Sequence, residues 1–500
     1  MTQLLQRIET IANRLPHPMA LFMYLCVIVM VLSAIGYGAG WQAQHPATGQ
    51  WIEVKSLASS EGVVYMLSSL VANFMSFAPV GPVILMALAF SLAEKSGLLP
   101  ALITRFTENT PVVMLPVAIA FLGVMSSIAV DSGYVVLLPL CAAVFWAAGR
   151  NPIAGLALGF ACVSGGFSAN LLVGPVDAML SGISSESLAL VVDQDVSILA
   201  NYYFLIVSVF VVVVCCVLVN LFWVEPYLVN TTSMLAAKPT QPEPETPDGQ
   251  SNPGAGFGGV FYLTLMTIVV IWLGLTLPAG AILQNEQGGL LTGPFMASLV
   301  ALIALSVGIL ATVYGIEQKR LNSWPKWVKA LEQGIVDIAP YLALMFVVAQ
   351  FVAWFKWSSL GLVLAVELAG ILESFAINGP LAMIALMLFT ALLNLFIGSA
   401  SAKWALLAPI IIPAFFLLGV APEAVQGAYR VADSSTNIIT PLMPYFPLVL
   451  AYAHKYDASV TVGRLLTIML PYAMTLLLVW GGLLTVWLWQ GWPLGPIASN

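Results

Sequence analysis

Long apolar runs separated by short polar stretches make up most of this chain. A helix needs about 20 predominantly apolar residues to cross the hydrocarbon core of a bilayer, and the pattern predicts about nine such spans. They lie near Met19–Gly40, Val63–Ala93, Pro152–Gly182, Tyr202–Trp223, Val260–Leu283, Gly293–Tyr314, Ile335–Phe375, Val425–Ala453 and Leu465–Trp489. Two further apolar stretches, 111–148 and 380–418, carry polar residues in the middle, which favours re-entrant hairpins over single helices.

The composition also indicates a membrane protein. The chain has 500 residues, of which 60% are hydrophobic and 8% are charged, whereas a soluble protein is about 25% charged. So few charges cannot cover a water-facing surface of this size, and we expect an all-α protein in a bilayer. The 16 Lys and Arg residues stand against 23 Asp and Glu residues. Because no basic field is present to neutralise phosphates, nucleic acid is not an expected partner.

A stretch rich in Pro, Gly and Glu divides the chain. Residues 231–259 contain the sequence KPTQPEPETPDGQSNPGAGFGG, in which apolar residues are scarce, so we expect a flexible linker. It separates a first half, residues 1–230, from a second half, residues 260–500. The distribution of Lys and Arg among the loops predicts that the N-terminus and the linker are cytoplasmic and that the C-terminus is external.

The two halves contain similar motifs in the same order. LGVMSSIAVDSGYVVLLPL at 122–140 aligns with LNLFIGSASAKWALLAPI at 393–410, and a Ser-X-Asn motif recurs at Asn170 and Asn437. The alignment predicts an internal repeat. Each copy comprises a hairpin and a broken helix, at 111–148 and 152–182 in the first half and at 380–418 and 422–453 in the second. The loop charges place the second copy upside down, and inverted repeats with broken helices are typical of secondary transporters.

The broken helices predict where small ligands bind. Unwound backbone is tolerated at membrane depth only where it is buried in protein or lines a cavity, and freed carbonyl groups there can coordinate a cation. The side-chain amides of Asn170 and Asn437 suit a hard cation such as Na⁺. This ion is the only bound cofactor we expect. The alternative is that these residues only join packed helices through hydrogen bonds.

Ionisable residues at membrane depth are costly, so each is a candidate functional residue. Arg430 and Asp433 are three positions apart and can pair on one helix face. Either that pair is structural, or Arg430 clamps a substrate carboxylate while Asp433 responds to a proton or a bound ion. Asp177 follows a Gly-Pro break and is predicted either to carry a proton or to cap the next helix. The pattern leaves the roles of Asp131 and Lys403 open.

Four motifs along the chain carry a family resemblance. They are LPHPMALFMYL at 15–25, GFSANLLVGPVDAMLSGIS at 166–184, GSASAKWALLAPIIIPAF at 398–415 and YRVADSSTNIITPLMPYFPL at 429–448. Together they make the chain resemble, from end to end, the AbgT family of bacterial p-aminobenzoyl-glutamate transporters. The resemblance implies a bowl-shaped homodimer in the bacterial inner membrane, with the spans and hairpins predicted above in each subunit.

The resemblance also implies a function. Family members are associated with uptake of p-aminobenzoyl-glutamate, and some resemble proton-driven exporters of sulfonamide antimetabolites. The positions that the resemblance carries over are Asp177 in GPVD, Asn394 and Trp404 in NLFIGSASAKW, Pro422, and Arg430 and Asp433 in YRVAD. We therefore expect a secondary transporter of p-aminobenzoate-like aromatic acids, coupled to H⁺ or Na⁺, and no enzyme activity.

Two other functions compete with this one. A Na⁺-coupled dicarboxylate carrier of similar hairpin architecture would use Arg430 and the Asn motifs for a succinate-like anion. Trp404 discriminates between the two carriers, because its ring suits stacking on an aromatic substrate unless it only lies at the lipid interface. An intramembrane protease is disfavoured, because each of the 3 histidines lies at or beyond a span end and only one of two candidate Asp-[Ser/Thr]-Gly motifs is complete.

Overall fold

The computed structural model of the chain is almost entirely helical. It describes residues 18–44, 51–78, 80–102, 111–126, 134, 137–231, 257–278, 280–285, 289–290, 294–374, 379–395, 397–440, 443 and 445–496. The first-half helices are α1 (Pro18–Ala39), α2 (Ser60–Ser68), α3 (Leu70–Met75), α4 (Val80–Lys95), α5 (Leu115–Met125), α6 (Leu138–Ala147), α7 (Pro152–Gly165), α8 (Pro175–Leu188), α9 (Tyr202–Val219) and α10 (Glu225–Thr231). The second-half helices are α11 (Gly259–Thr276), α12 (Pro294–Glu317), α13 (Trp324–Trp357), α14 (Leu360–Ser374), α15 (Gly379–Asn394), α16 (Ala400–Leu417), α17 (Pro422–Asn437), α18 (Phe446–His454), α19 (Val462–Thr475) and α20 (Gly481–Trp489).

Short elements complete the described part of the chain. Strands β1 (Gln42–Gln44) and β2 (Trp51–Glu53) pair antiparallel after α1. A 3₁₀ turn, Val112–Met114, leads into α5. Single π-helical turns join α9 to α10 at Asn220–Val224 and α19 to α20 at Leu476–Trp480. They keep these helix pairs continuous, so each pair extends as one long segment.

Seven helical segments of the described residues are long and apolar enough to cross a membrane. They are Met19–Ala39, Tyr202–Leu228, Gly259–Thr276, Ala297–Glu317, Trp324–Trp357, Ala400–Leu417 and Val462–Trp489. Large apolar side chains of the outer helices are exposed, for example Tyr24 on α1 and Leu263 on α11. Lipid is the solvent that such a surface requires. The predicted all-α membrane fold is confirmed, while the number of about nine crossings stays a prediction.

Besides the two broken helices, two of the predicted spans are divided into shorter helices. The run at 63–93 contains most of α2 together with α3 and α4, and the run at 335–375 contains the end of α13 and then α14. Ser69 and Ser76 each donate a side-chain hydrogen bond of 2.7 Å to the carbonyl four residues earlier, and such bonds compete with regular helix. After α13, Ser359 has a positive φ of 59°, which an α-helix cannot include.

The same order of helices occurs in both halves. In the first, α5 and α6 are followed by α7, which ends at Gly165, and by α8, which begins at Pro175 after an unwound stretch. In the second, α15 and α16 are followed by α17, which ends at Asn437, and by α18, which begins at Phe446. These elements overlap the predicted hairpins and broken helices, although α8 extends to Leu188, beyond the predicted end at 182. The first hairpin tip, with Asp131, lies outside the described residues, and the inverted orientation of the second copy stays a prediction.

The predicted linker is described only at its two ends. α10 ends at Thr231 and α11 begins at Gly259, while 232–256 lie outside the described residues. The division into halves at 231–259, and the flexibility expected of that segment, therefore stay predictions.

Polar caps and prolines set where the central helices begin. The Asn151 side chain accepts a 2.9 Å hydrogen bond from the Ile153 N–H at the start of α7. The Ser399 hydroxyl accepts one of 3.3 Å from the Ala402 N–H at the start of α16. Such caps satisfy N–H groups that have no partner inside the helix. Pro is well tolerated at the first helical position, where α7, α8 and α17 each have one.

The core lies where α7, α8, α16 and α17 pack together. Every residue of α7 and of α17 is buried. α7 is apolar and packs closely on α6, since a Cβ added at Gly155 would lie 2.5 Å from the Cys141 carbonyl oxygen. In contrast, α17 has the sequence PEAVQGAYRVADSSTN. Burial of so many polar groups is unfavourable unless each one is bonded, so α17 is where we look for a functional site.

Candidate functional site

Four charged side chains lie buried around α17. Arg430 and Asp433 belong to α17, Asp177 to α8 and Lys403 to α16, and none of them is more than 3% exposed. They form two ion pairs within the described part of the chain: the Arg430 guanidinium with the Asp177 carboxylate, and the Lys403 ammonium with the Asp433 carboxylate. Removing an ion from water is costly, and a close partner of opposite charge offsets much of that cost. The cluster therefore has two cations and two anions in balance.

The pairing of Arg430 with Asp433 along one helix, which their spacing allowed, differs from the pairing in the structure. Each of the two residues has its partner on a neighbouring helix instead. The reason is that α8 and α16 both pack against α17 and bring an opposite charge to it. The Arg430–Asp177 pair consequently joins the second half of the chain to the first.

Asp177 uses its two carboxylate oxygens for two different purposes. Its Oδ2 accepts a 2.8 Å hydrogen bond from the Gly174 N–H and one of 2.9 Å from the Asn170 Nδ2. This caps the N-terminus of α8, so the capping role predicted for Asp177 is confirmed. Its Oδ1 accepts from the Arg430 guanidinium. The carboxylate thus ties the unwound stretch of the first half to α17.

Asp433 has partners on both α16 and α17. Besides the Lys403 ammonium, its Oδ2 accepts a 3.3 Å hydrogen bond from the Asn437 Nδ2. Asn394, at the end of α15, accepts from Lys403 through its Oδ1, and its Nδ2 donates to the Asp433 backbone carbonyl at 2.6 Å and to the Thr436 hydroxyl at 2.8 Å. The second hairpin is therefore attached to α17 by the charged pair and by one amide.

Asn170 lies in the first break and Asn437 is the last residue of α17, and the two make similar contacts. Each donates its side-chain N–H to an aspartate, Asn170 to Asp177 and Asn437 to Asp433. In both, the amide oxygen Oδ1 is buried without a hydrogen-bond partner among the described residues. Buried polar atoms are rarely left unpartnered, and an amide oxygen is a good ligand for a hard cation. The two amides therefore fit the predicted Na⁺ ligands, whereas their own hydrogen bonds are local and do not join packed helices.

Trp404 is enclosed. It is 0% exposed, and its ring packs on Tyr429 with 4.5 Å between centroids. Its indole Nε1 donates to the Leu180 carbonyl at 3.2 Å and to the Ser184 hydroxyl at 3.1 Å. The ring therefore lies between α8 and α17 rather than at a lipid-facing surface, which argues against the interfacial alternative.

Pro422 lies apart from the charged cluster. It is the first residue of α17, eight positions before Arg430, which corresponds to about 12 Å along a helix. Its place is therefore at the start of the polar helix. The structure pairs Arg430 with Asp177, and it brings Asn394, Lys403 and Asp433 into a second bonded group on the same helix, α17.

Comparison with known proteins decides the family. Residues 3–500 match the family model described as "AbgT putative transporter family". The chain belongs to the AbgT family. The predicted resemblance is confirmed, and the protein is a membrane transporter. Because AbgT proteins are transporters, the expectation of no enzyme activity is supported at the level of the family.

Known AbgT proteins are similar to this chain over almost its whole length. The p-aminobenzoyl-glutamate transport protein of Escherichia coli (strain K12) is 34% identical over 491 residues, which are 98% of this chain and 95% of the relative. The crystal structure of the Alcanivorax borkumensis YdaH transporter has a TM-score of 0.90 at 43% identity and covers 96% of this chain and 100% of its own. The structure of Neisseria gonorrhoeae MtrF, which represents a class of antimetabolite efflux pumps, has a TM-score of 0.88 at 35% identity and covers 99% and 100%.

Sequence reasoning missed a chain of polar side chains behind Trp404 in this AbgT protein. The Gln426 Nε2 donates to the Ser184 hydroxyl at 2.9 Å, and the Asn201 Nδ2 donates to the Gln426 Oε1 at 2.5 Å. A signal was present for Gln426, because it precedes Arg430 by four positions on the helix face that also carries Asp433. No comparable pattern marks Ser184 or Asn201, which reach Gln426 only through tertiary packing.

Proposed function

We propose that this protein is an ion-gradient-driven secondary transporter of p-aminobenzoyl-glutamate and related p-aminobenzoate-like aromatic acids. The observation that carries the proposal is the buried cluster of Asp177, Lys403, Arg430 and Asp433 between the two broken helices. In inverted-repeat carriers substrates bind between the repeats, and ionisable groups at membrane depth are functional by default. The E. coli and N. gonorrhoeae relatives support the substrate class, and proton-coupled export of sulfonamide antimetabolites is the second mode we propose.

Each predicted residue has a proposed task. The guanidinium of Arg430 binds a carboxylate of the substrate, because its planar fork matches that group. Asn394 holds the second hairpin against α17. Trp404 presents its ring to an aromatic substrate when the hairpin separates from α17. Pro422 fixes the start of the helix that carries Arg430 and Asp433.

The proposed coupling groups are the two aspartates for H⁺ and the two asparagines for Na⁺. Asp177 and Asp433 can take up protons when their cationic partners are engaged by substrate. They face Arg430 on α17 and Lys403 on α16, and the remaining charged residue of α17 is Glu423. The unpartnered oxygens of Asn170 and Asn437 support the Na⁺ alternative. A bound Na⁺ would add positive charge beside the aspartates, which is the chemistry a coupling ion supplies.

A Na⁺-coupled dicarboxylate carrier is the second candidate. It is favoured by one observation, the presence of two buried cations, Arg430 and Lys403, around one helix. Two cations suit an anion with two carboxylates whether or not the rest of that anion is aromatic. Trp404 distinguishes the two candidates, because only an aromatic substrate gains from its ring.

The setting we propose is the inner membrane of a bacterium, with a cytoplasmic N-terminus and a homodimeric assembly. The basic loops support the orientation, and the family supports the membrane. Chemical cross-linking in native membranes should trap a dimer. A strictly monomeric protein would contradict this part of the proposal.

The deciding experiment is flux in proteoliposomes. Radiolabelled p-aminobenzoyl-glutamate and a radiolabelled sulfonamide are supplied separately, with a pH gradient or a Na⁺ gradient imposed one at a time. We expect concentrative flux of an aromatic substrate under one of the two gradients. In the Asp177→Asn variant the response to the pH gradient should be lost, whereas Asp337→Asn, an exposed aspartate of α13, should behave as wild type. Flux of succinate alone would reject the aromatic substrate and favour the second candidate.

A further inference from the structure

Lys403 is a buried cation that the family motifs leave without a role. Its side chain is 0% exposed, and its ammonium contacts the Asp433 carboxylate and the Asn394 Oδ1. A buried lysine is unfavourable even when it is paired. A neutral pair at positions 403 and 433 would hold the hairpin without that cost, so the charges themselves require an explanation.

The ion pairs made by Lys403 and Arg430 lie three positions apart on α17. Asp433, the partner of Lys403, lies three positions after Arg430 on α17, which is about 4.5 Å along the helix. The two cations therefore approach the same stretch of one helix, Lys403 from α16 and Arg430 from α17 itself. Two cations so placed can bind two carboxylates of one small molecule.

The contacts around the ion pairs permit exchange of partners. If Arg430 turns to another anion, Asp177 keeps its bonds from the Gly174 N–H and the Asn170 amide. If Lys403 does so, Asp433 keeps the bond from Asn437. In addition, the Arg430 Nε is buried and has no acceptor among the described residues. A charged donor left unpartnered in a core points to an anion that is not part of the chain.

We propose that Lys403 and Arg430 form a two-carboxylate binding site, in which Asp433 and Asp177 occupy the positions that the two carboxylates of a substrate take. This inference rests on the proposed function and deepens it. The glutamyl part of p-aminobenzoyl-glutamate has two carboxylates, p-aminobenzoate has one and a sulfonamide has none. Lys403 is then the residue that selects for the dicarboxylate member of this series.

The site also has a consequence for charge. The four side chains are neutral together, so a bound dianion adds two negative charges to a core of low polarity. Such a charge is tolerated only if it is balanced. Two monovalent cations, either protons or Na⁺, would balance it as they bind at the displaced aspartates. A dicarboxylate would thus require more coupling ions than p-aminobenzoate does.

The test compares binding of probes with different numbers of carboxylates. Full-length protein in nanodiscs is titrated with radiolabelled p-aminobenzoyl-glutamate and with radiolabelled p-aminobenzoate. The readout is the affinity for p-aminobenzoyl-glutamate divided by the affinity for p-aminobenzoate. In Lys403→Gln we expect the ratio to fall about tenfold or more, since a charged hydrogen bond to one substrate is lost. Lys403→Arg should restore most of the ratio. Lys455→Gln, a lysine of the loop after α18, is the matched control.

Further variants and probes keep the test decisive. Should Lys403→Gln fail to fold, the double variant Lys403→Gln with Asp433→Asn restores charge balance, and the same fall in the ratio is expected. An equal loss of affinity for both probes, or an unchanged ratio of affinities, would overturn the inference. Glutarate separates the two proposals: if wild type binds neither aromatic acid, the proposed function fails. Lys403-dependent binding of glutarate would then still support the two-carboxylate site, and glutarate binding that ignores Lys403 would reject it.

Discussion

The guanidinium of Arg430 on α17 donates a hydrogen bond to the carboxylate of Asp177 on α8, which lies 253 positions away in the chain. This bond joins the α17 helix of the second half to the broken helix of the first. A carrier that alternates between two open states must rearrange the contacts between its halves. The Arg430–Asp177 bond is therefore suited both to hold one state and to be released by an anionic substrate.

A double-mutant cycle tests whether the Arg430–Asp177 pair has a role in transport as well as in stability. Arg430→Gln leaves Asp177 buried and unpaired, which should lower stability by about 3–5 kcal/mol. Adding Asp177→Asn should recover much of that loss, because no uncompensated charge remains. Transport should stay absent in the double variant, since the carboxylate-binding guanidinium is gone. Thermal unfolding in detergent and flux in proteoliposomes are the two measurements, and recovery of flux together with stability would assign the pair a structural role only.

Asp433 should be essential for coupling. Asp433→Ala removes the anion beside Lys403 and an acceptor of the Asn437 amide, so we expect gradient-driven accumulation of substrate to be lost. Counterflow, which needs binding but no gradient, separates coupling from binding. Asp337→Ala on the exposed face of α13 is the matched control. Unchanged accumulation in Asp433→Ala would reject its role.

Sodium should stabilise the protein through the two asparagines. If Na⁺ binds the folded state at Asn170 and Asn437, melting temperature rises with Na⁺ concentration at constant ionic strength. Asn437→Ala should weaken the apparent Na⁺ affinity by about tenfold or more, because an oxygen ligand is lost. Asn322→Ala, at an exposed position before α13, serves for comparison. A melting temperature that responds equally to K⁺ and Na⁺ in every variant would reject Na⁺ binding at these residues.

Replacement of Trp404 should affect aromatic substrates selectively. Trp404→Leu removes the ring that packs on Tyr429 and the bond to Ser184. Flux of p-aminobenzoate should fall by about tenfold, the size expected for a lost aromatic contact, while glutarate flux should fall less. Trp489→Leu, whose ring is 75% exposed, controls for the loss of a tryptophan elsewhere. An equal fall for both substrates would indicate that the ring only supports the fold.

The loop after α18 should contribute to stability in a pH-dependent way. Partial burial favours the neutral form of Asp457, but the Ser459 hydroxyl and amide and the Arg464 guanidinium outweigh this and hold the pKa of Asp457 below its ordinary value of 3.8. A carboxyl with a depressed pKa stabilises the fold above its unfolded-state pKa and loses that contribution as the pH falls through its folded-state pKa. Melting temperature measured between pH 3 and pH 6 should therefore depend less on pH in Asp457→Asn than in wild type, and identical profiles would contradict this.

The sequence was most informative where long apolar runs contain residues that interrupt or begin helices. The Gly-Pro break before Asp177, the Ser-X-Asn motifs and the proline at the start of α17 indicated the broken helices, and the structure has unwound backbone at both places. These features are local, because prolines and small polar residues limit backbone conformation wherever they occur. The family motifs in turn carried over Asp177, Arg430 and Asp433, three of the four charges in the two buried ion pairs, but not Lys403.

Side-chain pairing could not be predicted in the same way. Spacing along α17 suggested Arg430 with Asp433, yet each residue pairs with a charge from another helix. Helical spacing reports which residues share a face, and it contains no information on which neighbouring helix lies opposite that face. The role of Lys403 stayed open for this reason, since its partner lies 30 positions further along the chain and becomes apparent only when α16 packs against α17.

The complete burial of α17 has a consequence for how the protein is made. A segment with an arginine, an aspartate, a glutamate and several hydroxyl and amide groups is too polar to leave the translocon for lipid unaided. Its insertion must therefore wait until partner helices can shield it, and α8 and α16, which supply the opposite charges, both precede it in the order of synthesis. Biogenesis of this carrier should accordingly depend on early segments being retained beside the nascent chain until residue 437 has emerged from the ribosome.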